Sequence, residues 1–196
     1  TSPAKVRPLG VGDTDRRIVG TMGLTQFKDK ITKHFQSKRC ANWAVGTKSG
    51  AECQMFLVQS ALEANPSWSV ITTDKINAYN EIDRQAMLNS VSEEFPEFLD
   101  FTLQFYETPA QLIYHLDAAV PLGHPLPPGF SFVGSSRMIV ALDSRQGLQQ
   151  GDPLATTDYC LAEHRTLCEA AETFPECDLS AFADDGNILG EPDDNL

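Results

Sequence analysis

Ala181-Phe182-Ala183-Asp184-Asp185-Gly186-Asn187-Ile188-Leu189-Gly190 is the stretch on which the fold turns. A short apolar run meets two adjacent carboxylates and leaves as a second apolar run. Asp-Gly between apolar flanks predicts a β-hairpin with acid at its tip, Gly186 supplying the positive φ that such a turn demands. Turn chemistry alone accounts for both residues as a solvated turn. A functional reading therefore needs a partner for these carboxylates elsewhere in the chain.

Upstream, Trp68-Ser69-Val70-Ile71-Thr72-Thr73 is short and β-branched and delivers Asp74 at its carboxyl end, which predicts a strand. Asn80 is an acceptable N-cap, so a helix over about 81–94 follows, before Pro96. A phenylalanine-rich helix over 97–106 carries Phe98, Phe101 and Phe105 at core spacing. Between Leu112 and Asp143 the pattern turns to β, with runs at 112–116 and 138–142 joined through a Pro/Gly-rich connection. Asp152 as N-cap and Pro153 at the first helical position open a long helix to about Thr173. At the other end of the chain, Leu24, Phe27, Ile31 and Phe35 predict an amphipathic helix from Thr21 to Phe35. Residues 40–50 read as a loop anchored by Trp43, and a helix over about 51–64 is stopped by Asn65-Pro66. Pro8 confines any strand in residues 1–19 to a sheet edge.

The 196 residues suffice for a proper core, and no apolar stretch reaches the length of a bilayer span. The five cysteines (Cys40, Cys53, Cys160, Cys168, Cys177) are odd in number and lack CxxC spacing, so neither a disulfide framework nor a zinc site is suggested, and the expectation is free thiols in a reducing, intracellular compartment. The formal charge of −12 argues at first against a nucleic-acid partner, but its distribution is uneven. Residues 1–50 hold 10 Lys/Arg against Asp13, Asp15 and Asp29, net +7, whereas residues 51–196 hold 5 basic and 24 acidic residues, net −19. Such a split suits one segment that meets anions and another that is acidic surface or metal site.

Two predicted strands thus end in acid, at Asp74 and at Asp184-Asp185. If they are neighbours in one antiparallel sheet, three carboxylates converge. Like charges so placed favour a bound dication, and hard oxygen ligands suit Mg²⁺. Two such ions about 3.5–4 Å apart form the clamp used for in-line displacement at phosphorus. The arrangement predicts phosphoryl or nucleotidyl transfer.

Residues 71–84, then Gln146-Gly147-Leu148-Gln149-Gln150-Gly151-Asp152-Pro153-Leu154, then Phe182-Ala183-Asp184-Asp185, resemble the successive palm motifs of reverse transcriptases, in the same order. Residues 5–12 with Asp15-Arg16-Arg17-Ile18-Val19 are similar to the fingers segment of the non-LTR retrotransposon and group II intron branch. The resemblance implies an α/β (α+β) fold, a polymerase palm whose antiparallel sheet packs on helices, with partial fingers at 1–66 and palm at 67–196. It implies an RNA-directed DNA polymerase acting on an RNA template, a DNA primer and dNTPs. Asp74, Asp184 and Asp185 would be catalytic and hold two Mg²⁺ ions, with Mn²⁺ as the alternative metal. Tyr79 would pack under the incoming sugar and exclude a 2′-hydroxyl. Gln150 and Gly151 would lie near the nascent pair. Arg7, with Lys5, would neutralise the triphosphate, and Arg16 and Arg17 would touch template phosphates.

The chain departs from the family pattern in places. Ala155-Thr156-Thr157-Asp158 is polar where an apolar run is usual, and Lys75 stands at a commonly apolar position. The expectation is a fingers-and-palm fragment that starts inside the fingers and lacks a thumb. Three readings follow: a polymerase portion of a longer polyprotein, a truncated polymerase, or a domesticated reverse-transcriptase-like subunit of a larger assembly whose carboxylates are idle.

Overall fold

The computed structural model describes residues 10, 12–36 and 40–192. The first helix, α1 (Thr14–Gln36), starts seven residues before the predicted position. It is followed by β1 (Cys40–Asn42), α2 (Gly50–Ala64), β2 (Ser69–Thr73), a single turn α3 (Ala78–Glu81), α4 (Arg84–Glu94) and α5 (Pro96–Tyr106). Strands β3 (Ala110–His115), β4 (Phe130–Phe132) and β5 (Ile139–Ser144) lead to α6 (Ala155–Thr173), and the described chain closes with β6 (Asp178–Phe182) and β7 (Asp185–Gly190).

Two small sheets result. The first has the order β1-β6-β7-β2, antiparallel except for β1, which runs parallel to β6. The second is antiparallel with the order β3-β5-β4. β6 is covered on both faces. Leu179 joins Cys40 and Ala171 beneath α6, whereas the Phe182 ring approaches Gly50 at the start of α2. The principal core lies among the helices, where Phe35, Met87, Val91, Phe98, Leu154 and Leu161 are fully enclosed. Phe27 meets Phe95 and Phe98 edge-on at 6.1 and 5.5 Å between centroids, the geometry aromatic quadrupoles favour.

Several sequence expectations are corrected. Residues 40–42 form a strand within the expected loop, because the Asn42 side chain and the Trp43 N–H both find partners on the β6–β7 hairpin. Asn80 does not cap the helix that follows. Asp83 does, its Oδ1 accepting from Ala86 N–H at 2.7 Å, since Asn80 is already inside α3. Asp152 does not cap α6 directly, which opens at Ala155. Its Oδ1 instead accepts from Leu154 N–H at 2.9 Å, and its Oδ2 receives Arg16 at 2.9 Å. Cys40 and Cys168 are disulfide-paired, so the expectation of five free thiols fails at these two, and Cys53, Cys160 and Cys177 are free.

The polar run at the start of α6 is accommodated by burial with a partner. Thr102 on α5 donates to Asp158 Oδ1 at 3.1 Å, and both residues are fully enclosed. Burial holds the Asp158 carboxyl well above its ordinary value of 3.8, with Asp152 adding to the rise. The folded state then keeps a proton that the unfolded chain releases. The stability contributed by neutral Asp158 is full below 3.8 and is lost as pH rises from there through the raised folded value. Asp158→Asn keeps an acceptor for Thr102 and removes the ionisation. Its thermal midpoint should exceed that of the unsubstituted chain by a margin that grows from about pH 4 to about pH 8; a constant difference across that range would refute the assignment.

Candidate active site

The β6–β7 hairpin does carry its acids at the tip, but the turn differs from the one the sequence predicts. Phe182 pairs with Asp185, which leaves Ala183 and Asp184 as the two-residue loop. The positive φ belongs to Ala183, at 54°, and not to Gly186. A Cβ on Gly186 would stand 2.6 Å from Thr73 Oγ1 on the neighbouring strand, so a side chain there would displace that hydroxyl. A non-glycine residue in the left-handed region costs about 1–3 kcal/mol and persists only where its surroundings hold it.

Asn42, the last residue of β1, holds it. Its side chain is fully buried, and its Oδ1 accepts from Ala183 N–H at 3.2 Å and from Ala44 N–H at 3.1 Å. Its Nδ2 donates to the Ala183 carbonyl at 3.3 Å. One amide thus grips both polar groups of the strained residue immediately before Asp184. Sequence reasoning missed Asn42, because nothing local ties residue 42 to a hairpin some 140 positions later.

Asp74 reaches the same end of the sheet. β2 pairs antiparallel with β7, ending at Thr73 opposite Gly186, so the next residue, Asp74, comes level with Asp185. Asp74 and Asp185 are exposed and Asp184 is half-buried. The three are not among the described groups that bring three ligand atoms within 4.8 Å of one another, which are elsewhere. The backbone therefore puts them at one sheet end without closing their side chains into a single cluster.

Around this edge, Tyr79 is half-buried and stacks on Tyr159 with ring centroids 4.7 Å apart and planes at 24°. Its hydroxyl lies 3.4 Å from Thr156 Oγ1. Burial first, and then the charges of Cys160, Asp184 and Asp185, push the Tyr79 phenol up to about 12. The same field reaches inward: burial, Glu163 and Asp184 hold the enclosed Cys160 thiol far above its ordinary value. Lys75 pairs with Glu163 on α6, so this departure from the family pattern has a local anionic partner.

The Gln146–Pro153 segment docks against the start of α3 and α4. Leu148 N–H donates to the Tyr79 carbonyl at 2.6 Å and Gly147 N–H to that of Ile82 at 3.1 Å. Gly147 has φ 66°, and a Cβ on it would lie 2.6 Å from Asn80 Cα, so glycine is obligatory there. Arg84 clamps the segment, its guanidinium donating to the carbonyls of Ser144, Gln146 and Gly147 at 3.0, 3.3 and 2.8 Å. Gln150 is half-buried, its carbonyl accepting from Gly10 N–H at 3.0 Å, and Gly151 is exposed with φ 101°. Gly151 and Pro153 line an open groove with the α1 residues Arg17, Ile18 and Met22. Arg16 is committed internally, to Asp152 and the Phe105 carbonyl, which removes it from the expected phosphate contacts. Lys5 and Arg7 lie outside the described residues.

No protein-family model matches the chain, and no curated protein matches it. Solved telomerase structures do. The apo telomerase of Candida tropicalis truncated from its C-terminal domain aligns with 93% of this chain at 12% identity and a TM-score of 0.52. The telomerase of the same organism in complex with a TWJ fragment of telomeric RNA aligns with 91% at 12% identity and a TM-score of 0.51. The fold is therefore an α+β, polymerase-like one, shared with these telomerase structures. This chain spans 35% and 29% of those two telomerase chains.

The hairpin pin is open to direct measurement. Asn42→Ala removes two acceptor bonds and one donor bond in a buried place and should cost about 2–4 kcal/mol in urea unfolding. The Ala183 and Asp184 amides should exchange with solvent faster than those in the middle of β6. Unchanged exchange at the tip would show that Asn42 does not hold the turn.

Proposed function

We propose that this chain is the fingers-and-palm portion of an RNA-directed DNA polymerase, with fingers at 1–66 and palm at 67–196. It would add deoxynucleotides to a primer 3′-hydroxyl on an RNA template and release pyrophosphate. The observation that carries the reading is the β2–β7 register, which brings Asp74 level with Asp185 while the turn presents Asp184 beside them. The likeness to telomerase structures supports the fold, and one of those was solved with telomeric RNA, in keeping with a nucleic-acid partner. The order of motifs and the fingers-like segment favour the non-LTR retrotransposon or group II intron-like branch.

Asp74, Asp184 and Asp185 would hold two Mg²⁺ ions, or Mn²⁺ in their place, since carboxylates with neither thiol nor imidazole are the donors that hard cations take. When bound, such ions activate the attacking oxygen and stabilise the leaving group. The residues of the chain do the positioning. Tyr79, stacked on Tyr159, would pack under the incoming sugar and exclude a 2′-hydroxyl. Gly151, without a side chain, allows a template or nascent pair to approach the backbone that Arg84 and Leu148 hold in place. Arg7 and Lys5 would meet the triphosphate.

A second reading has its own support. The net charge of −19 over residues 51–196 repels a duplex, and Met55, Phe56 and Ile71 are exposed apolar surface suited to protein contacts. A domesticated subunit of a larger assembly, without catalysis, would have both features.

Primer extension with dNTPs and Mg²⁺ on an RNA template separates the two. Under the polymerase reading, Asp74→Asn or Asp184→Asn lowers extension at least about 100-fold, a loss of ~2.7 kcal/mol in transition-state stabilisation. Extension that survives either substitution would defeat the metal assignment, and absence of extension in every form would favour the subunit. Where extension occurs, Tyr79→Ala should raise ribonucleotide incorporation relative to deoxynucleotide by about tenfold or more; an unchanged ratio would remove Tyr79 from sugar selection.

A further inference from the structure

Behind the sheet, away from the aspartates, two triplets of metal-binding side chains share one histidine. Cys40 opens β1, His34 lies in the last turn of α1, and His164 and Cys168 stand four residues apart on one face of α6. One ligand atom from each of Cys40, His164 and Cys168 lies within 4.8 Å of the others. A second triplet, of His34, Glu94 and His164, meets the same test and shares His164. Cys40 and His164 are enclosed, and Cys168 and His34 are partly so.

We propose that the reduced chain binds one Zn²⁺ ion here, through Cys40, Cys168 and His164. Two thiolates with an imidazole are a donor set that selects zinc, a water or a further donor taking the fourth position. His164 Nε2 lies 3.7 Å from Cys168 Sγ. Tetrahedral zinc with its usual bond lengths separates a sulfur from a nitrogen by about 3.6 Å, so this edge already has the required length. The rings of His34 and His164 have centroids 4.9 Å apart. His34 Nε2 is 3.0 Å from Glu94 Oε2, so the second triplet is a hydrogen-bonded neighbour of the site and not part of its ligand set.

The disulfide and the zinc site are alternative states of the same two sulfurs, whose Cα atoms are 5.5 Å apart. A dithiol reductant transfers two electrons to the disulfide, becoming a disulfide itself and leaving two thiols. Zn²⁺ then displaces one proton from each thiol as two Zn–S bonds form. The ion would tie β1 to α6 at the start of β1, whose other end is Asn42, the residue gripping the turn before Asp184. The site is independent of the polymerase reading, because none of its ligands is a proposed catalytic residue.

The experiment is metal analysis of the chain purified under a dithiol reductant, with Co²⁺ substitution as the spectroscopic probe. The proposal requires one Zn²⁺ per chain and a Co²⁺ form with tetrahedral d–d bands and a thiolate-to-cobalt charge-transfer band. Cys40→Ser, Cys168→Ser and His164→Asn should abolish stoichiometric zinc, while Cys53→Ser and Cys177→Ser retain it. No zinc on the reduced chain, a Co²⁺ spectrum without thiolate bands, or zinc retained by Cys40→Ser and Cys168→Ser would each overturn it. The Co²⁺ spectrum of the unsubstituted chain decides the matter even where a variant fails to fold. Asp184→Asn should leave the zinc content unchanged whatever it does to primer extension.

Discussion

The constraint on which the site depends is the grip of one buried amide on one strained residue. Ala183 occupies a left-handed conformation that a side chain resists, and Asn42 satisfies its N–H and its carbonyl together. The reward is position: with the turn confined to two residues, Asp184 stands at the tip and Asp185 is the first residue of β7, level with Asp74 across the sheet. A longer or looser turn would present the same acids with the wrong register, since a slip of one residue sends each side chain to the opposite face.

The surroundings of that edge are organised by the same means, buried groups that each find a partner. Arg84 collects three carbonyls of the segment at 144–147, and Gly147 gives up a side chain so that the segment can lie on the Asn80 backbone. Tyr79 is fixed between its backbone bond to Leu148 and its stack on Tyr159. Asp152 and Arg16 tie the approach to α6 back to α1. The three sequence motifs are thus joined to one another by hydrogen bonds as well as by their place at one end of the sheet.

Polar groups in the interior follow a consistent pattern. Asp158 is tolerated because Thr102 donates to it and because burial favours its neutral form. The polar opening of α6, which departs from the family pattern, is therefore compatible with burial beside α5 through the Thr102–Asp158 hydrogen bond. On the far side of α6, the same helix supplies His164 and Cys168 to a cluster of sulfur and imidazole groups. One face of the helix supports the aspartate edge and another anchors β1.

The sequence by itself determined the local elements with regular periodicity: α2, β2, α5, the β3 and β5 runs, and a final hairpin with acids at its tip. Each follows from apolar spacing or from residues such as Pro96 and Asn65-Pro66 that act on their immediate neighbours. The pairing of Asp74 with the hairpin could be posed from sequence only as a condition, because register is set by contacts between distant strands. Only the tertiary structure decided that β1 exists, that Ala183 and not Gly186 takes the left-handed conformation, and that Cys40 meets Cys168. A three-residue strand has too few residues to show a period, and Ala183 is held in a costly conformation by a residue 141 positions earlier. The His164 and Cys168 spacing on α6 was in the sequence throughout, but one helix face with two donors specifies nothing until β1 brings Cys40 to it.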